Sequence, residues 1–340
     1  VLERLFQLKA KGSTPGREVV AGLTTFAAMA YILVVNPAVL ADAGMPREAV
    51  VTATAVAAAA ATLLMALLAN LPLALAPGMG INAFFAYAIC AGMGVPWQSA
   101  LALVFVNGII FLLLSVSGVR EKIVKAIPLS LKAATCAGIG MFIAFIGLKN
   151  GGLVVANPAT FISMGDLTQP PVALFAAGIL LACVLIARRT PAAILVTMAV
   201  LTLVGFLVPD GKGGTVSHLP DTLLALPASI TPVALQLDFQ FLVREPLQAL
   251  PVILTLLLVD LFDNLGTLIG VTKRAGLMDR DGRIPGLSRA LVADSLAAIL
   301  SSLLGTSTVV SYIEPIIRSC DCGWEAQVLG IAAFENENDL

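Results

Sequence analysis

Charge is what this chain of 340 residues has least of. Only 12% of it is Asp, Glu, Lys or Arg, about half the share usual in soluble domains. A water-soluble globule of this size could not hide the 59% that is hydrophobic, so the bilayer must solvate much of the chain. A net charge of −1, with no Arg/Lys-rich stripe carrying interleaved aromatics, excludes nucleic acid as a partner. A single histidine, His218 in a polar loop, leaves no Ser-His-Asp triad and no His-based metal centre. The 5 cysteines make no secreted disulfide framework. Cys90, Cys136 and Cys183 sit in apolar runs and read as small buried hydrophobes. Cys320-Asp321-Cys322 lacks further ligands at zinc spacing. Asp279-Arg280-Asp281-Gly282 opens like a calcium loop but lacks the closing Glu, so it reads as a turn. No cofactor and no metal are expected.

What the chain has is apolar length. Runs of about 17–25 apolar residues cross a bilayer as helices. Such runs lie near 19–40, 50–70, 99–118, 133–155, 171–187, 190–208, 246–271 and 287–304. Two interrupted runs, 72–91 and 305–318, bring the total to ten. Alternating these spans from a cytoplasmic N-terminus places 16 basic residues inside and only Arg47, Lys149, Lys212 and Arg244 outside. That asymmetry fits the positive-inside rule. Residues 1–16, with Arg4, Lys9 and Lys11, read as an amphipathic leader on the cytoplasmic surface. The chain is read as a multi-pass protein of the cell inner membrane, in contact with the lipid bilayer.

The two interruptions carry most of the information. Ala76-Pro77-Gly78-Met79-Gly80-Ile81-Asn82 breaks the third span, and Gly305-Thr306-Ser307-Thr308-Val309-Val310-Ser311-Tyr312-Ile313-Glu314 breaks the tenth. Unwound backbone at bilayer depth is tolerated only where protein buries it or where it lines a cavity. Broken segments in corresponding positions of two halves point to a transporter's substrate site. Under the topology above, the two enter from opposite faces, as an inverted repeat requires.

Carboxylates lie beside these breaks. Asp260 and Asp263 share a helix face at i and i+3, with Asn264 and Thr267 a turn beyond. Each costs about 2.5–3.5 kcal/mol on insertion scales, so both should face a wet or partnered interior. A structural pair within the bundle is the competing account. Glu314 follows the second break, where free N–H groups at a half-helix start favour an anion. Thr306, Ser307, Thr308 and Ser311 can satisfy freed backbone groups or contact a polar ligand. In the first break Pro77 ends extended backbone, Gly78 and Gly80 permit close approach, and Asn82 offers an amide. Phe84, Phe85 and Tyr87 could stack on a flat ring or simply pack. Asp294 reads as structural, and Lys149 as a snorkelling side chain. An intramembrane aspartyl protease would need its two aspartates on different helices, which the i, i+3 spacing of Asp260 and Asp263 does not supply.

These motifs resemble the nucleobase–cation symporter family, in its adenine/guanine/hypoxanthine permease branch. The resemblance rests on Gly22–Ile32, Ala76–Tyr87, Phe145–Asn150, Asp260–Gly270 and Gly305–Val309, in that order. It implies an all-α polytopic membrane protein of 7+7 inverted-repeat fold, its segments three and ten each combining a short strand with a half-helix. Residues 17–132 and 246–314 would form a core domain (segments 1–4 and 8–10), and 133–245 part of a gate domain through which the protein forms a homodimer. Purine contacts would fall on Asn82, Asp260, Asp263 and Glu314, with Gly80 and Thr308 completing the site. The implied activity is import of purine nucleobases by alternating access, not enzymatic catalysis. Proton symport is expected through Asp263, Asp260 or Glu314, with Na+ as the alternative ion.

The resemblance has two departures. Asn264 stands where the branch usually has Thr. After Glu314 the pattern stops, and 315–340 form a divergent polar tail, so only about ten of fourteen segments are expected. A truncated or frameshifted reading frame is the expected explanation, which makes a non-functional product one alternative. Another substrate on the same architecture, such as xanthine, uracil or an anion, is the second.

Overall fold

The computed structural model describes residues 14–126, 128–188, 190, 193–211, 213–217, 226–274 and 286–312. Glu314 and the 315–340 tail lie outside the described residues, as do His218, Cys320, Cys322 and residues 1–13 of the leader.

In chain order the elements are α1 (Pro15–Met29), α2 (Ile32–Asp42), α3 (Arg47–Ala69), β1 (Leu75–Pro77), α4 (Met79–Ala83), a π-helix (Phe84–Gly92), α5 (Trp97–Val116) and α6 (Val119–Ala126). There follow α7 (Leu129–Asn150), β2 (Val154–Asn157), β3 (Phe161–Met164), α8 (Pro170–Ala187) and α9 (Ala193–Gly205). The last are α10 (Gln240–Arg244), α11 (Pro246–Arg274), α12 (Leu287–Leu304) and β4 (Val309–Ser311). Among the described residues, six helical stretches are long and apolar enough to cross a membrane: Glu18–Asp42, Arg47–Ala69, Trp97–Val116, Pro170–Ala187, Pro246–Asn264 and Leu287–Leu304.

The described residues fall into two compact units, one within Val1–Gly140 and Pro227–Arg318, the other within Met141–Leu226. In the first unit α12 packs on both α3 and α5. Small residues allow this. α3 is largely alanine, and α5 meets α12 at Gly108, where a Cβ would lie 2.9 Å from Ile299 Cγ1. Close approach through small residues is the usual way helices associate in membranes. Leu40, Val50, Phe85, Leu101 and Leu256 are buried in one part of its core, and Met65, Phe111, Leu261 and Leu291 in another. In the second unit α8 packs on α9. There Leu180, Val184 and Leu203 are exposed, apolar surface of the kind that lipid covers.

Two features depart from an all-helical reading. The span expected over 133–155 ends at Asn150, because Gly151 and Gly152 turn the chain and Gly152 takes φ +74°. Val154–Asn157 then pairs with Phe161–Met164 as an antiparallel hairpin. The first half-helix is also mixed, one α turn passing into nine π-helical residues. Such π segments usually run a single turn and gather at functional sites.

Candidate functional site: a strand crossing between two broken spans

The two interruptions meet. β1 and β4 pair antiparallel, with Leu75 opposite Ser311, Ala76 opposite Val310 and Pro77 opposite Val309. The Gly78 N–H donates to the Thr308 carbonyl at 3.0 Å, and the Tyr312 N–H to Ala74 at 3.0 Å. These strands are buried throughout, so each backbone group without a ladder partner needs another. On one outer edge Thr62 serves: its hydroxyl accepts from the Leu75 N–H at 3.0 Å. On the other, Asn264 of α11 accepts the Ser311 N–H at 3.2 Å. The Tyr312 hydroxyl donates to the Pro77 carbonyl at 2.8 Å.

Local sequence explains both breaks. Pro77 cannot donate to a ladder or a helix, and α4 starts after Gly78, whose carbonyl accepts the Asn82 N–H at 2.9 Å. A side chain at 78 would crowd the ladder. A Cβ there would lie 2.9 Å from Val310 Cγ2 and 3.4 Å from Asp263 Oδ2. At the second break α12 ends on Gly305 with φ +86°, a conformation that L residues rarely adopt. A side chain at 305 would also strike the Val233 carbonyl.

Two polar clusters flank the crossing. The first contains amides and hydroxyls only. Asn36 donates to Thr54 Oγ1 at 2.7 Å and to Thr306 Oγ1 at 3.0 Å. Its carbonyl oxygen accepts from the Asn82 amide, and Asn82 Oδ1 accepts from the Ser307 hydroxyl. All five side chains are fully buried. Asn82 thus pins the first break to the second, with both ends of its amide engaged inside the protein.

The second cluster is charged. Asp260 accepts from Asn264 Nδ2 at 2.9 Å and from Asn107 Nδ2 at 3.3 Å. Asn264 Nδ2 also donates to Asp294 Oδ2 at 2.8 Å, and the same oxygen pairs with Arg120 at 3.1 Å. Arg120 is wholly buried. It donates further to Ser115, Leu291 and Ser295 and stacks over the Phe111 ring at 4.3 Å. Sequence reasoning placed Arg120 among the cytoplasmic loop cations and missed this pairing. The signal was available: Asp294 and Asn107 lie in apolar helices, where a polar group demands a partner.

Two expected site residues are left without partners. Among the described residues Asp263 makes no hydrogen bond, and its half-buried carboxylate lies beside Gly78 of the first break. The Thr308 hydroxyl is fully buried and unpaired. Gly80 is buried within α4. The crossing therefore gathers Asn82, Gly80, Asp260, Asp263 and Thr308 into one region. Within it, the Asp263 carboxylate and the Thr308 hydroxyl are the groups without a hydrogen-bond partner among the described residues. Glu314 lies two residues beyond the last described position.

A strand crossing between two interrupted spans, lined by a few polar groups in an apolar bundle, defines a membrane transporter. The model of the permease family matches residues 16–316, and the chain belongs to that family. It is 42% identical to the adenine permease AdeP of Escherichia coli (strain K12) over 314 residues, 92% of this chain and 68% of that one. It is 40% identical to the guanine/hypoxanthine permease PbuG of Bacillus subtilis (strain 168) over 345 residues, 97% of this chain and 76% of that one. Among solved structures, the transmembrane domain of the cyanobacterium bicarbonate transporter BicA aligns with a TM-score of 0.58 at 16% identity, covering 93% of this chain and 81% of that chain. The fold is accordingly that of the inverted-repeat transporters, and the chain is a multi-pass membrane protein.

Proposed function

We propose that this chain imports purine nucleobases (adenine, guanine or hypoxanthine) as a secondary transporter of the inner membrane. The observation that carries the reading is the Asp263 carboxylate, unpaired beside the glycine backbone of a strand crossing. A purine carries ring and exocyclic N–H donors, and charge-assisted bonds to a carboxylate are the strong kind. Asp263 would accept from the base, with Glu314 as a second acceptor and Thr308 reading an adjacent polar atom. The permeases named for adenine and for guanine/hypoxanthine support the substrate class.

Asp263, Asp260 or Glu314 would carry the coupling proton. Residues 17–132 and 246–314 would act as the core, and 133–245 as part of a dimerising gate. The N-terminus would face the cytoplasm, on the basic-residue asymmetry. Uptake of labelled hypoxanthine, adenine and guanine, in competition with xanthine, uracil and bicarbonate, tests the reading. Asp263→Asn and Glu314→Gln should each abolish uptake while the protein remains in the membrane. Normal uptake by either variant removes that residue from the site, and competition by uracil or bicarbonate alone removes the purine.

A further inference from the structure

The charged cluster does more than bury a salt bridge. It spans four helices: Arg120 on α6, Asp294 on α12, Asn264 and Asp260 on α11, and Asn107 on α5. Asn264 is its junction. Both amide hydrogens go to carboxylates, Asp260 at 2.9 Å and Asp294 at 2.8 Å. That leaves its oxygen to the Ser311 N–H of β4. The amide cannot turn over without setting its oxygen against two carboxylates and losing the strand. A threonine at 264 has one hydroxyl proton and could not serve both aspartates. The position of β4, and so of Thr308 and Val310, therefore depends on the cluster's charges.

The charge count sharpens the point. Among the described residues, the charged groups facing this region are Asp260 and Asp263 from α11, Asp294 from α12 and Arg120 from α6. α5 and β4 supply only uncharged groups. Arg120 is thus the single cation against the two carboxylates on either side of Asn264. The cluster also keeps spare capacity: Asn107 Oδ1, Asp294 Oδ1 and Arg120 Nε are buried without partners.

We propose that Arg120, Asp294 and Asn264 are positioning residues of the substrate site, a charged hydrogen-bond ladder that holds Asp260 and β4 in register with the crossing. None of the three touches substrate. The proposal rests on the purine reading only for its transport assay.

The test compares Arg120→Met, Asp294→Asn, Arg120→Lys and the Arg120→Met/Asp294→Asn double variant with the parent. Each is checked for amount in the membrane, for KM and maximal rate of hypoxanthine uptake across pH, and for melting across pH in detergent without substrate. Each neutralising single change should lower uptake about tenfold or more, because it strands one buried charge. The two should move the pH profile in opposite directions, since one removes a cation and the other an anion. The double change should recover uptake to within about threefold of the parent, a non-additivity that marks direct coupling. Arg120→Lys, which keeps the charge but not the fork, should retain part. A double variant present at normal level yet as inactive as the singles overturns the proposal, as do singles with the parent's pH profile. If the parent takes up no purine, the substrate reading fails on its own. The ladder is then judged by melting: pH profiles that shift in the singles and return in the double support it, and coincident profiles overturn it.

Discussion

Replacing Asn82 with Ala separates two roles that the sequence leaves entangled. As a reader of the base, Asn82 would change transport and leave the empty protein unaffected. The structure gives its amide other work. Ser307 donates to Asn82 Oδ1, and Asn82 Nδ2 donates to Asn36 Oδ1, all at fully buried positions. Truncation strands two of these groups, the Ser307 hydroxyl and the Asn36 carbonyl oxygen. Each orphaned buried polar group costs about 1–3 kcal/mol, so the change should cost about 2–6 kcal/mol before any cavity is counted. Asn36→Ala should cost more, since it also abandons Thr54 and Thr306. Because the two amides share one bond, the double variant should lose less than the sum of the singles. The assay is melting of the detergent-solubilised protein without substrate, followed by size-exclusion fluorescence. A melting temperature several degrees below the parent's is expected for Asn82→Ala. A variant that melts with the parent and differs only in KM would refute this reasoning and return Asn82 to the base.

Other substitutions address the crossing itself. Thr308→Val keeps the side chain's shape and removes a buried hydroxyl that has no partner, so it should leave stability unchanged or raise it by about 1 kcal/mol, read as an unchanged or higher melting temperature. If that hydroxyl meets the base, the same variant should lose uptake at its normal level in the membrane. Gly78→Ala should weaken both folding and uptake, because the new methyl meets Val310 across the ladder at 2.9 Å; normal melting would show that the strands part freely. Gly305→Ala should lower stability by an amount on the order of 1–2 kcal/mol from the left-handed backbone alone, with the Val233 contact adding to it and a lower melting temperature as the readout.

The breaks were legible because proline and glycine act locally. Pro77 and Gly78 stop one span and Gly305 stops the other whatever surrounds them, and strands Leu75–Pro77 and Val309–Ser311 fall where the interruptions were read. Pairing was legible only as a pointer to a shared site, since nothing local specifies the register of Ala76 with Val310. Partner choice was not legible. Asn36 meets Thr306 across 270 residues and Arg120 meets Asp294 across 174, and a positive-inside count treats every arginine near a span end alike. Gly118, at φ +69°, precedes α6 and with it the buried Arg120. A buried Arg120 is not a loop cation and so marks neither side of the membrane.

The two breaks are alike in backbone and unlike in how their polar groups are satisfied. The first is tied by neutral groups, Asn36, Thr54, Asn82, Thr306 and Ser307, whose bonds do not change with pH. The second is tied through Asn264 to two aspartates and an arginine, which are ionisable groups. Under the proposed proton-coupled uptake, an element that binds an uncharged base and responds to a proton would need a charge-sensitive side beside a rigid one. The strand crossing supplies both, with β4 between them: Thr306 and Ser307, just ahead of it, are anchored to the neutral cluster, and Ser311 to the charged one. Asp263 and Thr308, the two groups left unpaired, lie at this boundary. A ligand that engages both would bridge the neutral and charged halves, and on the proposed mechanism binding and charge would then act on the same three-residue strand.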